Sequence, residues 1–184
     1  SFHGMGREDI DVRCLGSGRP FVLEVKKPSK RTLPVEDLVE LVKGNAPGKV
    51  EVDRLSWCTR KKVNEVKQSR SEKTYTIRFR ADGLVDNEAA KKSILSLDGQ
   101  VIDQETPQRV SHRRAAKTRR RKITSIDDVS FEAGEVEITL RCEAGTYVKE
   151  LVHSDEGRTK PSVQSVLGTD CEVIWLDVLE IHAD

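Results

Sequence analysis

The chain has 184 residues, of which 36% are hydrophobic and 34% are charged, and its formal net charge is +1. This length and apolar content suffice for one domain, or for one domain with an appendage. No apolar run approaches the roughly 18 residues that a membrane span needs, so we expect no membrane association. The balanced net charge gives no sign of a nucleic-acid partner, and only the distribution of charge can reveal one.

The first third of the chain predicts two strands and one helix between them. Apolar residues within 19–27 indicate a strand that Pro28 ends. After Pro34, apolar residues recur at helical spacing as far as Gly44. A second strand is predicted over 49–58, and the polar, basic stretch after it indicates a weak helix and a loop.

The rest of the chain mixes strands and helices without strict βαβ alternation. Strands are predicted at residues 73–80, 99–102, 123–131, 136–142 and 173–181. The last of these is apolar at both parities, which is typical of a strand buried on both faces. Helices are predicted from Asn87, acting as the N-cap, to Leu97, and at 147–152 and 161–168. This mixture indicates an α+β fold with a largely antiparallel sheet.

The cysteines and histidines predict neither a metal site nor a bound cofactor. The four cysteines are scattered without a CxxC pair, and the four histidines lack ligand spacing. The chain contains no dinucleotide fingerprint and no P-loop. We therefore expect no metal, no cofactor and reduced thiols, as in a cytoplasmic protein, or a nuclear one if the source is eukaryotic.

A dense basic segment lies in the middle of the chain, where no acid separates Glu105 from Asp127. Its cations are Arg109, Arg113, Arg114, Lys117, Arg119, Arg120, Arg121 and Lys122, with His112 among them. Guanidinium groups form paired hydrogen bonds with phosphate, and each neutralised phosphate releases counterions. A solvated charged face is the alternative interpretation, but the flanking strands favour a projecting basic hairpin or loop over about 103–126 that grips nucleic acid.

Asp9 is the leading candidate for a catalytic group, although an exposed loop charge or a salt bridge is the more common role for such an acid. It lies with Glu8 and Asp11 in a glycine-flanked segment that also carries arginines. Far along the chain, Lys149 falls on the first turn of a predicted short helix. If folding brings the two segments together, Asp9 becomes a carboxylate held by a cation.

Five segments resemble, in the same order, the archaeal and eukaryotic tRNA pseudouridine synthase family Pus10. They are Gly6–Asp9, Gly18–Phe21, Thr106–Arg114, Cys142–Lys149 and His153–Ser162. The first is similar to the GR(T/E)D signature of pseudouridine synthases and the fourth to their GTYI(R/K) motif. The resemblance implies a pseudouridine synthase fold over residues 1–184, forming the catalytic domain of a protein whose N-terminal part is missing. It also implies a tRNA substrate, with uridines 54 and 55 of the TΨC arm as targets.

The same resemblance implies roles for individual residues. Asp9 would be the catalytic aspartate, Lys149 its basic partner, and Tyr75 the residue that stacks on the target base. Tyr75 also fits a core position, since it shares an apolar face with its strand neighbours. Leu167 would line the pocket, and Arg7 would reach into the RNA. The remaining tRNA contacts would come from Arg109, His112, Arg113, Arg114, Arg119, Arg120 and Arg121.

Three alternatives stay open at this point. The chain could be an RNA-binding module that keeps the fold without catalysis, a synthase of another branch with a different uridine target, or a plain structural domain. For a synthase, the aspartate could attack the sugar, attack the base or abstract a sugar proton. The sequence predicts no oligomeric state.

Overall fold

The structure is a computed structural model that describes residues 1–183. The strands are β1 (Phe2–Gly4), β2 (Arg13–Cys14), β3 (Phe21–Leu23), β4 (Lys73–Ala81), β5 (Val101–Gln104), β6 (Arg119–Glu132), β7 (Glu135–Cys142), β8 (Thr159–Lys160) and β9 (Cys171–Ile181). The helices are α1 (Val35–Asn45), α2 (Lys61–Gln68), α3 (Asn87–Leu95), α4 (Val148–His153) and α5 (Val163–Leu167), with a 3-10 helix at Gln108–Arg113. The chain divides into two compact units. The first comprises Ser1–Met5 and Pro20–Gln68, and the second comprises Gly6–Arg19 and the chain from Ser69 onwards.

The first unit contains a two-stranded antiparallel sheet, β1 with β3, on which α2 packs. Val22 of β3 and Val66 of α2 are buried there. Helix α1 forms where the apolar spacing predicts it, but none of its residues is buried. The prediction of a strand over 49–58 is wrong, because this stretch forms no strand ladder and leaves Trp57 66% exposed. Alternation of apolar residues does not make a strand unless a partner strand accepts its backbone hydrogen bonds.

The second unit is built on a seven-stranded sheet of order β2-β9-β4-β7-β6-β5-β8. Only the short β2 pairs in parallel, with β9, while the other neighbours are antiparallel. Helix α3 packs on β6, helix α4 on β9, and α5 on both helices. The predicted α+β class with a mostly antiparallel sheet is therefore confirmed.

Strand β4 provides the centre of the core in the second unit, between β7 and β9. Tyr75, Ile77 and Phe79 alternate onto one face and are at most 5% exposed, as the period of two predicts. On the other face the guanidinium of Arg78 lies 5.6 Å from the ring centre of Trp175. The prediction that β9 is buried on both faces holds only for its central residues 176–178, since Ile174 is 38% exposed.

The basic segment lies in a hairpin of β5 and β6, whose antiparallel register runs from Val101 opposite Lys122 to Gln104 opposite Arg119. Residues 105–118 connect the two strands and contain the 3-10 helix. The second half of the basic segment is thus part of β6, while its first half belongs to the connection.

None of the helices within residues 1–183 combines the length and apolar composition that a membrane crossing would require.

The N-cap of α3 differs from the sequence-based expectation, since Asp86 and not Asn87 caps the helix. The Asp86 carboxylate accepts hydrogen bonds from the backbone N–H groups of Glu88 and Ala89, each at 3.0 Å. We expect Asp86→Ala to lower the free energy of unfolding by about 1 kcal/mol, because it leaves two helix donors without this partner. Urea denaturation measures the difference. The matched variant Asn87→Ala should change the stability by less than about 0.5 kcal/mol, and equal effects of the two variants would contradict the assignment.

Candidate active site

Residues 6–19 belong to the second unit and carry the acidic residues Glu8, Asp9 and Asp11. We call this segment the acidic loop. A backbone hydrogen bond of 3.2 Å from Val12 N to Asp9 O closes a turn there. The loop then enters β2, where the Arg13 Nε donates to both carboxylate oxygens of Asp177, at 3.0 and 3.1 Å. Because Asp177 is buried in β9, this ion pair fixes the outgoing end of the loop on the sheet.

Two cations from distant parts of the chain lie next to the carboxylate of Asp9. Its Oδ1 accepts a hydrogen bond of 2.7 Å from Nη1 of Arg109, which lies in the 3-10 helix. Its Oδ2 lies 3.8 Å from Nζ of Lys149, the second residue of α4. The Asp9 side chain is 28% exposed. The acidic loop and the segment that contains Lys149 therefore meet. They meet at the carboxylate of Asp9, which solvent still reaches.

Lys149 contacts Asp11 more closely than Asp9. Its ammonium lies 3.0 and 2.7 Å from the two carboxylate oxygens of Asp11. This hydrogen bond to Lys149 is the main cause that lowers the pKa of Asp11. Lys149 is thus shared between two carboxylates, a geometry that the compact, multiply donating ammonium group permits.

Arg109 has a different position from the one the sequence suggests. Its guanidinium contacts Glu150, with Nε 2.5 Å from Oε1 and Nη2 3.3 Å from Oε2, while Nη1 contacts Asp9. Burial disfavours the charge of Arg109, but the hydrogen bonds and charges of Glu150 and Asp9 outweigh it and raise the pKa. The guanidinium is thus held by two carboxylates, and the contact of Arg109 with an RNA phosphate stays a prediction.

Glu150 is the residue of this site that the sequence analysis missed. It is 1% exposed and sits in α4 among Val148, Leu151 and Val152, which are also buried. A buried carboxylate needs a paired cation, because transfer of an isolated charge out of water is costly. An acid within an otherwise apolar helical turn was the available signal, but nothing in the sequence identifies Arg109 as its partner.

The other predicted site residues are spread around the second unit. Tyr75 is 5% exposed, lies between Leu140 of β7 and Val178 of β9, and its burial raises its pKa. Arg7 is exposed, and Leu167 is half-buried at the last position of α5. None of these three is among the charged groups that meet at Asp9.

The basic residues divide into exposed and engaged cations. Arg119 donates from Nη1 to the Thr106 hydroxyl at 2.9 Å and to the Lys117 carbonyl at 3.0 Å. Arg121 donates to the carbonyl of Arg120 and lies against Gly145, where a Cβ would come within 3.4 Å of its guanidinium. The exposed group consists of His112, Arg113, Arg114, Lys117, Arg120 and Lys122, and the engaged Arg109 is also 38% exposed. The connection of the hairpin thus presents most of its charge to solvent.

Comparison with known proteins identifies a family. Residues 1–182 match the family model described as Pus10, C-terminal. The chain is 45% identical over 98% of its length to "tRNA pseudouridine synthase Pus10" of Methanothrix thermoacetophila, and 42% identical over 98% to the protein of the same name from Methanosphaera stadtmanae. It spans 40% and 44% of those relatives, which is less than half of each.

Solved structures give more distant matches. A chain of a Cbf5-Nop10-Gar1 complex is 23% identical with a TM-score of 0.48, covering 59% of this chain and 30% of that one. A chain from an H/ACA RNP bound to a substrate RNA containing 2'-deoxyuridine is 18% identical with a TM-score of 0.48, covering 83% and 45%. Both matches are partial.

The ion pair between Arg109 and Glu150 generates a testable prediction. We expect Glu150→Gln to lower the free energy of unfolding by about 2 kcal/mol, because Arg109 loses the hydrogen bonds to a charged partner while solvent and Asp9 still compensate its charge. Guanidinium denaturation followed by circular dichroism measures this. The exposed Glu156, which accepts a hydrogen bond of 2.6 Å from Gln108, offers the control Glu156→Gln. Similar losses in both variants would show that the pair of Arg109 and Glu150 does not contribute the stability assigned to it.

Proposed function

The chain belongs to the Pus10 C-terminal family, and from this premise we propose that it is the catalytic domain of a tRNA pseudouridine synthase that acts on uridines of the TΨC arm. Pseudouridine formation breaks the N-glycosidic bond, turns the uracil and rejoins it through C5. The reaction is an isomerisation that needs no redox change. It requires one ionised carboxylate beside the target ribose.

The observation that carries this proposal is the convergence of Arg109 and Lys149 on Asp9. Arg109 and Lys149 offset the negative charge of this partly enclosed carboxylate. They also fix its orientation, which lowers the entropic cost of reaching the reactive arrangement. Whether Asp9 attacks the sugar, attacks the base or abstracts a proton stays open, since all three routes use the same charged oxygen.

The target base has to leave its stack in the folded tRNA before it can meet Asp9, at a cost of a few kcal/mol. We propose that Tyr75 recovers part of this cost by stacking on the base, and that Leu167 and Arg7 contact the flipped nucleotide or its surroundings. Exposed cations of the 105–118 connection would contact phosphates. Such contacts position RNA without reading its sequence, so selection of tRNA would depend mainly on shape.

A non-catalytic RNA-binding module is the main competing function. Binding of RNA phosphates requires exposed cations, and Asp9 and Asp11 contribute none. The pairing of Asp9 with two cations orients a carboxylate. The proposed catalysis requires such a group, whereas phosphate binding does not. A synthase with a different uridine target is the second competitor, and it is distinguished by the position of the product in the RNA.

The central test compares two neighbouring carboxylates. We expect purified protein to form pseudouridine in a TΨC-arm transcript, and Asp9→Asn to lower turnover at least about 1,000-fold while RNA binding changes little. Asp11→Asn should retain most of the activity, because Asp11 is the partner of Lys149 and not the reacting group. Mass-spectrometric mapping of pseudouridine provides the rate and the modified position.

The assignment of Asp9 predicts a large loss of activity in Asp9→Asn and a small loss in Asp11→Asn, so the two variants together test it. Full activity of Asp9→Asn together with an inactive Asp11→Asn would overturn the assignment of Asp9. A wild-type chain that binds tRNA but forms no pseudouridine under any condition would favour the binding module. Product at a uridine outside the TΨC arm would identify the other synthase branch.

A second prediction concerns salt. We expect the affinity for tRNA to fall steeply with ionic strength, and the triple variant Arg113→Ala, Arg114→Ala, Lys117→Ala to reduce the slope of log K against log salt by roughly two, because each lost phosphate contact contributes about 0.7 to 0.9. Filter binding at several salt concentrations measures the slope. The exposed Lys92 of α3 provides the control Lys92→Ala. An unchanged slope in the triple variant would remove the connection from the RNA interface.

A further inference from the structure

We propose that Glu8 is a positioning residue for Asp9, an inference that rests on the proposed function. The carboxylate of Glu8 is held by Lys73 and Arg19 beneath the acidic loop, and this clamp fixes the backbone that presents Asp9. Glu8 itself does not touch the reacting atoms in this assignment.

Burial separates the two adjacent acids. The side chain of Glu8 is 8% exposed and that of Asp9 is 28% exposed. The Lys73 ammonium and the Arg19 guanidinium both form ion pairs with the Glu8 carboxylate, and their side chains are 8% and 16% exposed. The loop therefore directs one carboxylate into the unit and its neighbour towards the candidate site.

The clamp connects several points of the loop to the sheet. Arg19 donates from Nη1 to the carbonyl of Gly6 at 2.7 Å and from Nη2 to Sγ of Cys14 at 3.0 Å. Gly6 has φ of 78°, and a Cβ there would collide with the ammonium of Lys73. Lys73 is the first residue of β4. The clamp thus joins the start of the loop at Gly6, its acidic turn at Glu8 and its exit into β2 at Cys14 to strand β4 of the core.

The clamp depends on Glu8, because Glu8 supplies the negative charge that both cations contact. The buried Lys73 and the half-buried Arg19 share a single carboxylate, and loss of that carboxylate would leave the two cations facing each other. Burial, and after it the charge of Arg19, lower the pKa of Lys73 to about 8. Without Glu8 the loop should relax away from the sheet, and displacement of a reacting group by about 1 Å can reduce a rate by a factor of about 100.

A purely stabilising ion pair is the alternative role for Glu8. The chain offers a matched example in Glu72, next to Lys73 in sequence, whose Oε2 lies 2.6 Å from Nε of Arg141 and whose Oε1 accepts from the Thr124 hydroxyl. None of these three residues belongs to the 6–19 loop. Glu72→Gln therefore removes a carboxylate ion pair from the same region of β4 without touching the support of Asp9.

The experiment compares Glu8→Gln with Glu72→Gln in single-turnover and steady-state assays of pseudouridine formation. We expect Glu8→Gln to lower kcat by a factor of about 10 to 100, with KM and the tRNA dissociation constant within about twofold of wild type. Glu72→Gln should leave kcat unchanged at a comparable decrease in Tm. Glu8→Gln with wild-type kcat would overturn the positioning role, as would an equal loss of kcat in Glu72→Gln.

A readout independent of activity separates this inference from the proposed function. Hydrogen exchange of the peptide covering residues 9–14 should accelerate at least tenfold in Glu8→Gln and not in Glu72→Gln, because the Asp9–Val12 turn loses its support. An inactive wild-type chain would refute the proposed function, and the exchange data would still decide whether Glu8 holds the loop.

If Glu8→Gln fails to fold, Glu8→Asp and Lys73→Gln enter the same assays. Unchanged exchange and unchanged kcat in both would refute the proposal.

Discussion

The guanidinium of Arg109 connects three segments that are far apart in the chain. It binds the buried Glu150 through two nitrogens and reaches Asp9 through the third. Because Glu150 is enclosed in α4, its charge needs a cation, and the fold supplies one from the β5–β6 hairpin. The hairpin is thereby fixed against α4, and the acidic loop is fixed against the hairpin. This shared ion pair therefore brings the three segments of the candidate site together.

The acidic loop is held from both sides by opposite charges. On its inner side Glu8 meets Lys73 and Arg19, and at its exit Arg13 meets Asp177. On its outer side Asp9 and Asp11 meet the cations of the candidate site. Ion pairs on the surface contribute little individually, but a network with buried members restricts the geometry of all its partners. Such restriction would hold Asp9 in one orientation, as the proposed function requires.

The hairpin combines two roles under the proposed function. One residue of its 3-10 helix, Arg109, points to the carboxylates of the site, whereas Arg113 and Arg114 are exposed to solvent. An RNA phosphate bound by the exposed cations would act on the same short segment that holds Asp9. Binding of tRNA and alignment of the catalytic group would then be linked through a few residues of backbone, with no need for a separate moving part.

Local patterns in the sequence determined the class of the fold and most of its elements. Period-two alternation identified β4 and β7, and five ordered motifs indicated the family and made Asp9 and Lys149 candidates for one site. The strand predicted at 49–58 failed because pairing depends on a distant partner. For the same reason only the tertiary structure decided that Arg109 serves Glu150 and Asp9, and that Lys149 binds Asp11 more closely. Residue type and spacing specify local backbone conformation, while the choice among several possible ion pairs depends on which charged groups folding buries together.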